Sequence, residues 1–508
     1  MSTKFTLTQN DKSTYFENAT EFRGNWENSH GLLNNLNETI DQKTRKPLWL
    51  ISNRFSTIRP IGKELINISS MISWQQSQEN LMINPGQFSD ILNDSIALYG
   101  NYQSLDFSRF FTENSLGVTK QLRSFTIYPK IGLQYISQNF ESNLFNLLDE
   151  NQFVPNNSNF QNDLNWNQFK NYLNFGIHYR KNNWKASLNL PLNYFLISVR
   201  DNSLNQKISK EKIFVLPDLS VNFQPNTYWI INIHAFLNHD FVNINKLYFS
   251  YILQNYRTLQ RIKSTVIPEA FGQNYSTSIQ YKNPIKSIFA NLNYNFSTIQ
   301  NSVIYNQTMD ESGNSLIDAQ EKNNTSERYS VIGKISKYIS KLKSTFTLSV
   351  NYLTQRQKQF LNNELSDIEN FGWGFGVKIN SNPLDWLSIG YDGKLSMIQN
   401  QINAIENRRI KTQTHSFSVN LYPYKNHYIG FSTDYFTNNF SKNNQETTFL
   451  DLTYRFTFPK TKIDMELSWN NIFNSDLFTN VLSYSFYYSE QTIQLRPSQL
   501  FLKVKFSF

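Results

Sequence analysis

Cysteine is absent from the 508 residues. That excludes a disulfide framework, thiolate metal ligands and a cysteine nucleophile. Charge is also sparse, at 17% of residues, below the roughly 25% of ordinary soluble domains. No stretch approaches the roughly 18 uninterrupted apolar residues of a membrane helix. The opening "MSTKFTLTQNDKS" has no apolar core behind a basic region, so it does not read as a secretory signal peptide. No Gly-rich phosphate loop, Gly-x-Ser-x-Gly elbow or zinc-spaced cluster occurs. The net charge of +9 is dispersed. Its densest runs, "QKTRK" (42–46) and "ENRRIK" (406–411), are short and set among polar residues, as solvated turn charges are. No nucleic-acid partner is expected.

Aromatic residues, by contrast, make up 15% of the chain, with 41 Phe and 28 Tyr, although hydrophobic residues reach only 39%. Their spacing is period two. In "FLDLTYRFTF" (449–458) Leu450, Leu452, Tyr454, Phe456 and Phe458 share one parity, while Asp451, Thr453, Arg455 and Thr457 share the other. Ile463, Met465, Leu467 and Trp469 likewise oppose Asp464, Glu466 and Ser468. The closing "FLKVKFSF" sets Leu502, Val504, Phe506 and Phe508 against Lys503, Lys505 and Ser507. The same alternation marks 173–179, 288–296, 346–352 and 417–421. Side chains in a strand point alternately to opposite faces, so each segment has one apolar and one wet face.

Tight connections recur, many with Pro: "RPIG" (59–62), "KNNW" (181–184), "QPNT" (224–227), "KNPIK" (282–286), "SNPLD" (381–385), "YPYKN" (422–426) and "FPKTK" (458–462). Longer polar connections are expected between them, at 76–102, 141–167, 241–272, 309–325, 358–368 and 401–410. The strand total is about 20 to 22. Open sheets of that size are rare, and many strands reach the 9–11 residues of a tilted membrane-crossing strand. A spanning sheet must close on itself to pair its backbone in lipid. The expected fold is therefore all-β, a transmembrane antiparallel β-barrel with short periplasmic turns and long extracellular loops. Residues 1–45 supply the first strand or strands and a loop, and 46–508 the rest of the same barrel. A mean hydropathy of −0.51 fits, because only alternate strand residues need be apolar. Strand by strand, a soluble sandwich fits the alternation equally well; count, length and loop asymmetry favour the barrel.

The stretch "FTFPKTKIDMELSWNNIFNSDLFTN" with "IQLRPSQLFLKVKFSF" resembles the closing hairpin of TonB-dependent transporter barrels of the Bacteroidota type. Asn471–Asn474 reads Asn-Ile-Phe-Asn, and Leu495, Arg496 and Pro497 match the family's Leu-Arg-Pro-Arg, with Ser498 in place of its last Arg. "INPGQFSDIL" (83–92) and "LYFSYILQNYRTLQ" (247–260) are similar to family segments in extracellular loops. The resemblance implies an outer-membrane receptor that takes up substrate through its lumen. It also implies that the terminal aromatic Phe508 is the signal read by the barrel assembly machinery. The family's signal peptide, TonB box and plug domain are not visible here. The expectation is a start codon chosen inside a longer reading frame, and TonB is a partner only if a plug lies upstream.

The six histidines are scattered. His234 and His239 are five apart, on opposite faces of a strand, and make no metal pair. "DNSLNQ" and "DESGNS" (310–315) lack the full carboxylate spacing of a calcium loop. Neither catalysis nor a cofactor is expected, since alternating carboxylates such as Asp464 and Glu466 are ordinary for a lumen. Two functions stand. One is an importer barrel whose loops capture substrate, with Tyr248, Tyr251, Tyr256, Arg257 and Phe271 as candidate ligand-binding residues; self-packing of the loop accounts for them equally well. The other is a plugless barrel serving as a scaffold for surface lipoproteins or as a passive pore.

Overall fold

A computed structural model describes residues 1–11, 14–35, 38–150, 152–241, 244, 247–262, 266–310, 313–440, 445–459, 463–483 and 488–506. The first strands are β1 (Ser2–Asn10), β2 (Tyr15–Asn35), β3 (Glu38–Ile61) and β4 (Glu64–Asn84), followed by a one-turn helix, α1 (Ser89–Leu92). Then come β5 (Gly100–Leu122), β6 (Phe125–Leu147), β7 (Phe153–Pro155), β8 (Gln161–Lys181), β9 (Trp184–Asp201), β10 (Gln206–Val215), β11 (Asp218–Phe223) and β12 (Trp229–Phe241). Short β13 (Ile252–Asn255) and β14 (Thr258–Gln260) precede β15 (Glu269–Asn283), β16 (Ile288–Met309), β17 (Ser315–Ile339), β18 (Ser344–Leu361), β19 (Glu364–Leu384) and β20 (Leu387–Ile402). The chain closes with β21 (Ile405–Glu406), β22 (Ile410–Leu421), β23 (His427–Asn438), β24 (Gln445–Phe458), β25 (Ile463–Asn470), β26 (Leu477–Ser483), β27 (Tyr488–Gln494) and β28 (Gln499–Phe506).

All but β26 and β27 belong to one sheet. Counting β10 and β11 as one run against β9, and setting aside the short β7, β13, β14 and β21, 21 strands form a continuous antiparallel wall among the described residues. Position 45/46 falls inside β3, whose pairing with β2 is continuous. At one end the connections among the described residues are tight, as at 62–63, 123–124, 182–183, 340–343 and 385–386. The other end, the mouth, carries the long connections 85–99, 148–160, 242–268 and 471–498.

The expected loops are corrected: residues 76–84 belong to β4, 141–147 to β6 and 161–167 to β8, and two loops shrink to tight turns. Residues 315–325 are the start of β17, paired to β16 through Asn324 opposite Asn301 and Asp318 opposite Asn306. Residues 358–368 are a hairpin with Lys358 opposite Asp367. Backbone hydrogen bonding does not require apolar side chains, so polar strands keep pairing past the apolar belt. After Met465 and Trp469 the alternating run stops: β25 ends at Asn470, and β26 begins a separate hairpin.

Register brings the alternating sets onto one face. Leu173 lies opposite Ile131 and Leu192, Leu348 opposite Ile335 and Val377, and Leu467 opposite Tyr454 and Leu502. The charged parity of the terminal strand meets its complement, with Lys503 opposite Glu466 and Lys505 opposite Asp464. Two aromatic rings bound the apolar face. Near the tight turns stand Phe125 and Tyr179 (5.0 Å between centroids), Trp184 and Phe223 (4.1 Å), and Trp229 and Tyr281 (4.9 Å). Toward the mouth stand Trp49, Trp74, Tyr135, Phe169, Tyr194, Tyr275 and Trp373.

On β6 the two rings are Phe125 and Tyr135, on β8 Tyr179 and Phe169, and on β9 Trp184 and Tyr194, ten positions apart each time. Ten residues span about 33 Å of strand. At the 40–45° tilt of a barrel strand that is about 24 Å of height, the size of a membrane-barrel apolar band. Within it Leu173 is 52% exposed and Val350 51%. A continuous apolar belt of that extent far exceeds the patches water-soluble proteins expose, and it is dimensioned for hydrocarbon.

The sheet curls back on itself. Tyr256 bonds to Gln42 on β3, while its neighbour Arg257 accepts a bond from Ser315 on β17. Along the wall β3 and β17 are ten strand spacings apart, about 48 Å, yet two consecutive residues touch both. The edge strands β1 and β28 run in the same direction, from mouth end to turn end, each paired on one side among the described residues.

Candidate functional site

The mouth is built by a change of phase in the strands. On β8 the apolar residues of the belt are odd-numbered, Phe169 to Tyr179, but above them the apolar residues are Trp166 and Leu164. On β9 the even set Leu188 to Leu196 gives way to Phe195, Ile197 and Val199. These upper residues point to the lumen face and are buried, Ile197 and Val199 completely.

What buries them is the connection 242–268. Ile244, Leu247, Tyr248, Phe249, Ile252 and Ile262 pack with Phe140, Leu164, Trp166, Phe195, Ile197 and Val199 in one core. Tyr251, Leu253 and Leu259 join a second core with Ile40, Ile83, Leu144 and the 85–99 connection through Phe88, Leu92 and Leu98. A segment this apolar cannot lie in water at low cost; each large side chain buried contributes about 1.5–3 kcal/mol.

A buried connection must also satisfy its backbone. The Leu253 amide donates to Gln103 Oε1 (3.1 Å), the Tyr256 amide to Gln42 Oε1 (3.0 Å), the Ser250 amide to Asn162 Oδ1 (2.9 Å) and the Tyr251 amide to the Asn159 carbonyl (2.8 Å). β14 adds parallel pairs to β17 from Thr258 opposite Ser315 to Gln260 opposite Ile317. The segment therefore bridges the mouth from β8 to β3, β5 and β17.

The candidate ligand residues take different places. Tyr248 stacks on Phe140 at 5.6 Å, and burial pushes its phenol up to about 12. Tyr251 stacks on Phe160 at 5.6 Å with the Arg261 guanidinium 4.2 Å from its ring, and burial raises its phenol too. Both are core residues of the mouth. The half-buried Tyr256 and Arg257 form the β13–β14 turn, with the guanidinium 4.9 Å from the ring. Phe271 stands apart on β15, on a cavity of about 530 Å³ shared with Lys212, Phe214, His239 and Glu269. Phe508 lies outside the described residues.

Sequence reasoning overlooked the clasp at the base of this segment. Glu269, the first residue of β15, contacts Lys212 at 2.6 Å, Lys210 at 3.0 Å and His239 at 2.9 Å. His239 and Glu269 flank the connection on its two sides, and β10 supplies both lysines. The site lies above the upper aromatic ring, since His239 is four residues beyond Ala235, the partner of Tyr275. Burial works against the Glu269 carboxylate, but the two lysines outweigh it and hold its pKa below the usual value. Burial lowers the His239 pKa despite Glu269. Its Nε2 faces the carboxylate, while Nδ1 is buried with no hydrogen-bond partner among the described residues. A second proton there would be stranded, so the ring is neutral and its contact is a hydrogen bond rather than an ion pair. His234 is engaged separately, 3.0 Å from Asp218.

No family model and no curated protein matches the chain. Among solved structures it is similar to the ferric citrate transporter FecA in its unliganded form, at 8% identity over 99% of this chain and 77% of that one, TM-score 0.47. It is also similar to the outer-membrane transporter YddB from Escherichia coli, at 9% identity over 100% of this chain and 68% of that one, TM-score 0.47. A third is the siderophore receptor PiuA from Acinetobacter baumannii, at 11% identity over 99% and 79%, TM-score 0.47. The wall, belt and mouth described above rest on this chain's own pairing and packing.

Proposed function

We propose that this chain forms the membrane-spanning barrel of a TonB-dependent outer-membrane receptor of the Bacteroidota type, taking up a substrate captured at its mouth. The observation that carries the reading is the segment 247–262 folded across the mouth above a belt of lipid-matched height. Supporting it are the polar lumen face, the long connections gathered at one end, and the likeness of 456–480 and 493–508 to the family's closing hairpin. Tyr256 and Arg257 of the segment, with Phe271 on β15, meet the substrate first. Tyr248 and Tyr251 act behind them by holding the segment in place. Coupling to TonB belongs to the same proposal only if a plug lies upstream of this chain; assembly through the terminal Phe508 belongs to it in either case.

The scaffold reading uses the same surface for a lipoprotein partner, while a free pore is disfavoured by the segment across the mouth. The test is outer-membrane fractionation followed by single-channel recording in planar bilayers. The expected result is an outer-membrane protein with little steady conductance, and open channels in a variant lacking 247–262. A large constant conductance of the unaltered protein would establish a pore instead. Recovery from the aqueous fraction would remove the membrane reading altogether. Substrate accumulation that stops on loss of TonB separates receptor from scaffold.

A further inference from the structure

The basic run "QKTRK", expected from its sequence to sit in a turn, falls within a strand. It lies on β3 just above the upper aromatic ring, and its odd-numbered residues Lys43 and Arg45 continue the parity of Trp49 and Ile51, the lipid-facing side. Register sets them in two cross-strand rows. Asn28 on β2, Arg45 on β3 and Asn80 on β4 form one; His30, Lys43, Met82 and, on β5, Tyr102 form the other. Between these rows and the tryptophans opens a cavity of about 540 Å³ whose wall includes Trp26, Pro47, Met82 and Tyr102. Trp26 packs edge-on against Trp49 at 4.7 Å, so the apolar wall runs directly into the belt.

The charge of this cleft is positive. Asp41 is shared by His30 at 2.7 Å and Lys43 at 2.8 Å, while Arg45 makes no ion pair among the described residues. Arg45 stands four residues above Trp49, about 13 Å along the strand. With the tilt of a barrel strand its backbone is about 10 Å above the belt edge, just beyond the roughly 5–8 Å headgroup layer of one leaflet, which its long side chain reaches back into. A guanidinium with an ammonium beside it matches a phosphate monoester or diester by charge and by paired donors. A free anion has no use for the apolar wall; an acyl-anchored one does.

We propose that this cleft binds the phosphorylated headgroup of a lipid in the surrounding outer leaflet, with Arg45 and Lys43 on the phosphate and Trp26 and Pro47, on the membrane side of them, against the first acyl carbons. The proposal rests on the membrane-barrel reading. It is a site on the outside of the wall, separate from the mouth and from any transported substrate.

The experiment is native mass spectrometry of the full chain in detergent, titrated with a phosphorylated glycolipid, the same glycolipid dephosphorylated, or inorganic phosphate as competitor. The unaltered protein is expected to retain the phosphorylated lipid. Arg45→Ala should weaken it about tenfold, Lys43→Ala less, and Lys341→Ala at the opposite end not at all. Heat-modifiable mobility checks that each variant is a folded barrel. Equal retention of the dephosphorylated lipid, or equal binding by Arg45→Ala, overturns the proposal. Full displacement by inorganic phosphate at millimolar concentration also overturns it, in favour of a simple anion site. A protein that inserts into membranes but fails these titrations defeats only this cleft, whereas one that does not insert defeats the barrel reading.

Discussion

At the residue scale the informative positions are those where a polar group was buried and given a partner. Gln103 is fully buried, and its side-chain oxygen takes the Leu253 amide. Gln103→Leu keeps the volume but strands that N–H, at a cost of about 1–3 kcal/mol. Amide exchange over 252–256 should accelerate accordingly, while exchange in the belt strands stays unchanged. Glu269 makes a sharper case. Its carboxyl is held below the ordinary value, so its contribution is complete above about pH 4.3 and is lost as pH falls through the lower folded value. The His239 ring is held below its ordinary 6.5, so keeping it neutral stabilises the fold above that pH and ceases to as pH drops toward the folded value. Both effects loosen the clasp in acid. Exchange protection at Glu269–Phe271 should therefore fall first below about pH 6.5, from His239, and again below about pH 4.3, from Glu269. In Glu269→Gln it should be lower at pH 7 and show little further loss in the carboxylate range. Protection that ignores pH in both proteins would show the clasp to be idle.

At the element scale, the two faces of a strand should answer oppositely to the same substitution. Val350 lies on the belt opposite Gly333 and Phe375, and Asn351 beside it points to the lumen opposite Ile332 and Gly374. Val350→Arg should cost about 2–4 kcal/mol in a bilayer and Asn351→Arg close to nothing, read by urea unfolding from liposomes. Similar losses for both would mean the belt does not face lipid. Close approach matters as well. The ring of Tyr128 lies where a Cβ at Gly176 would stand, 2.0 Å away. Gly176→Ala must push that ring aside and lose its bond to Asn189 (2.5 Å), at about 1–3 kcal/mol of overpacking. The strands themselves were legible because period two survives single substitutions. Their ends were not, because a polar residue reads the same in a loop and in a paired extension, as 315–325 and 358–368 show.

For the whole molecule, the distance between the aromatic rings sets the membrane it fits. An apolar height of about 24 Å is less than the roughly 30 Å hydrocarbon of an average bilayer, and mismatch costs fractions of a kcal/mol per Å. Unfolding midpoints should be highest in short-chain lipid bilayers near that thickness and fall as chains lengthen. A maximum in thick bilayers would contradict the placement of the rings.

The sequence by itself determined the alternating strands, their approximate number, the lipid-facing parity and the end that bears long connections, since each follows from neighbours two residues apart. It also marked 247–260 as unusual. Only the tertiary structure decided that this segment turns inward, that Tyr248 and Tyr251 are core rather than surface, and that Gln42, Gln103 and Asn162 hold it. It likewise decided that Lys43 and Arg45 share a cleft with Trp26. The physical reason is separation: those contacts join residues up to 214 positions apart, and they exist only once the sheet has curled enough to bring β3 and β17 to the same turn. The one local trace was the phase shift at Trp166 and Phe195, where apolar residues cross to the lumen face because a buried segment awaits them there.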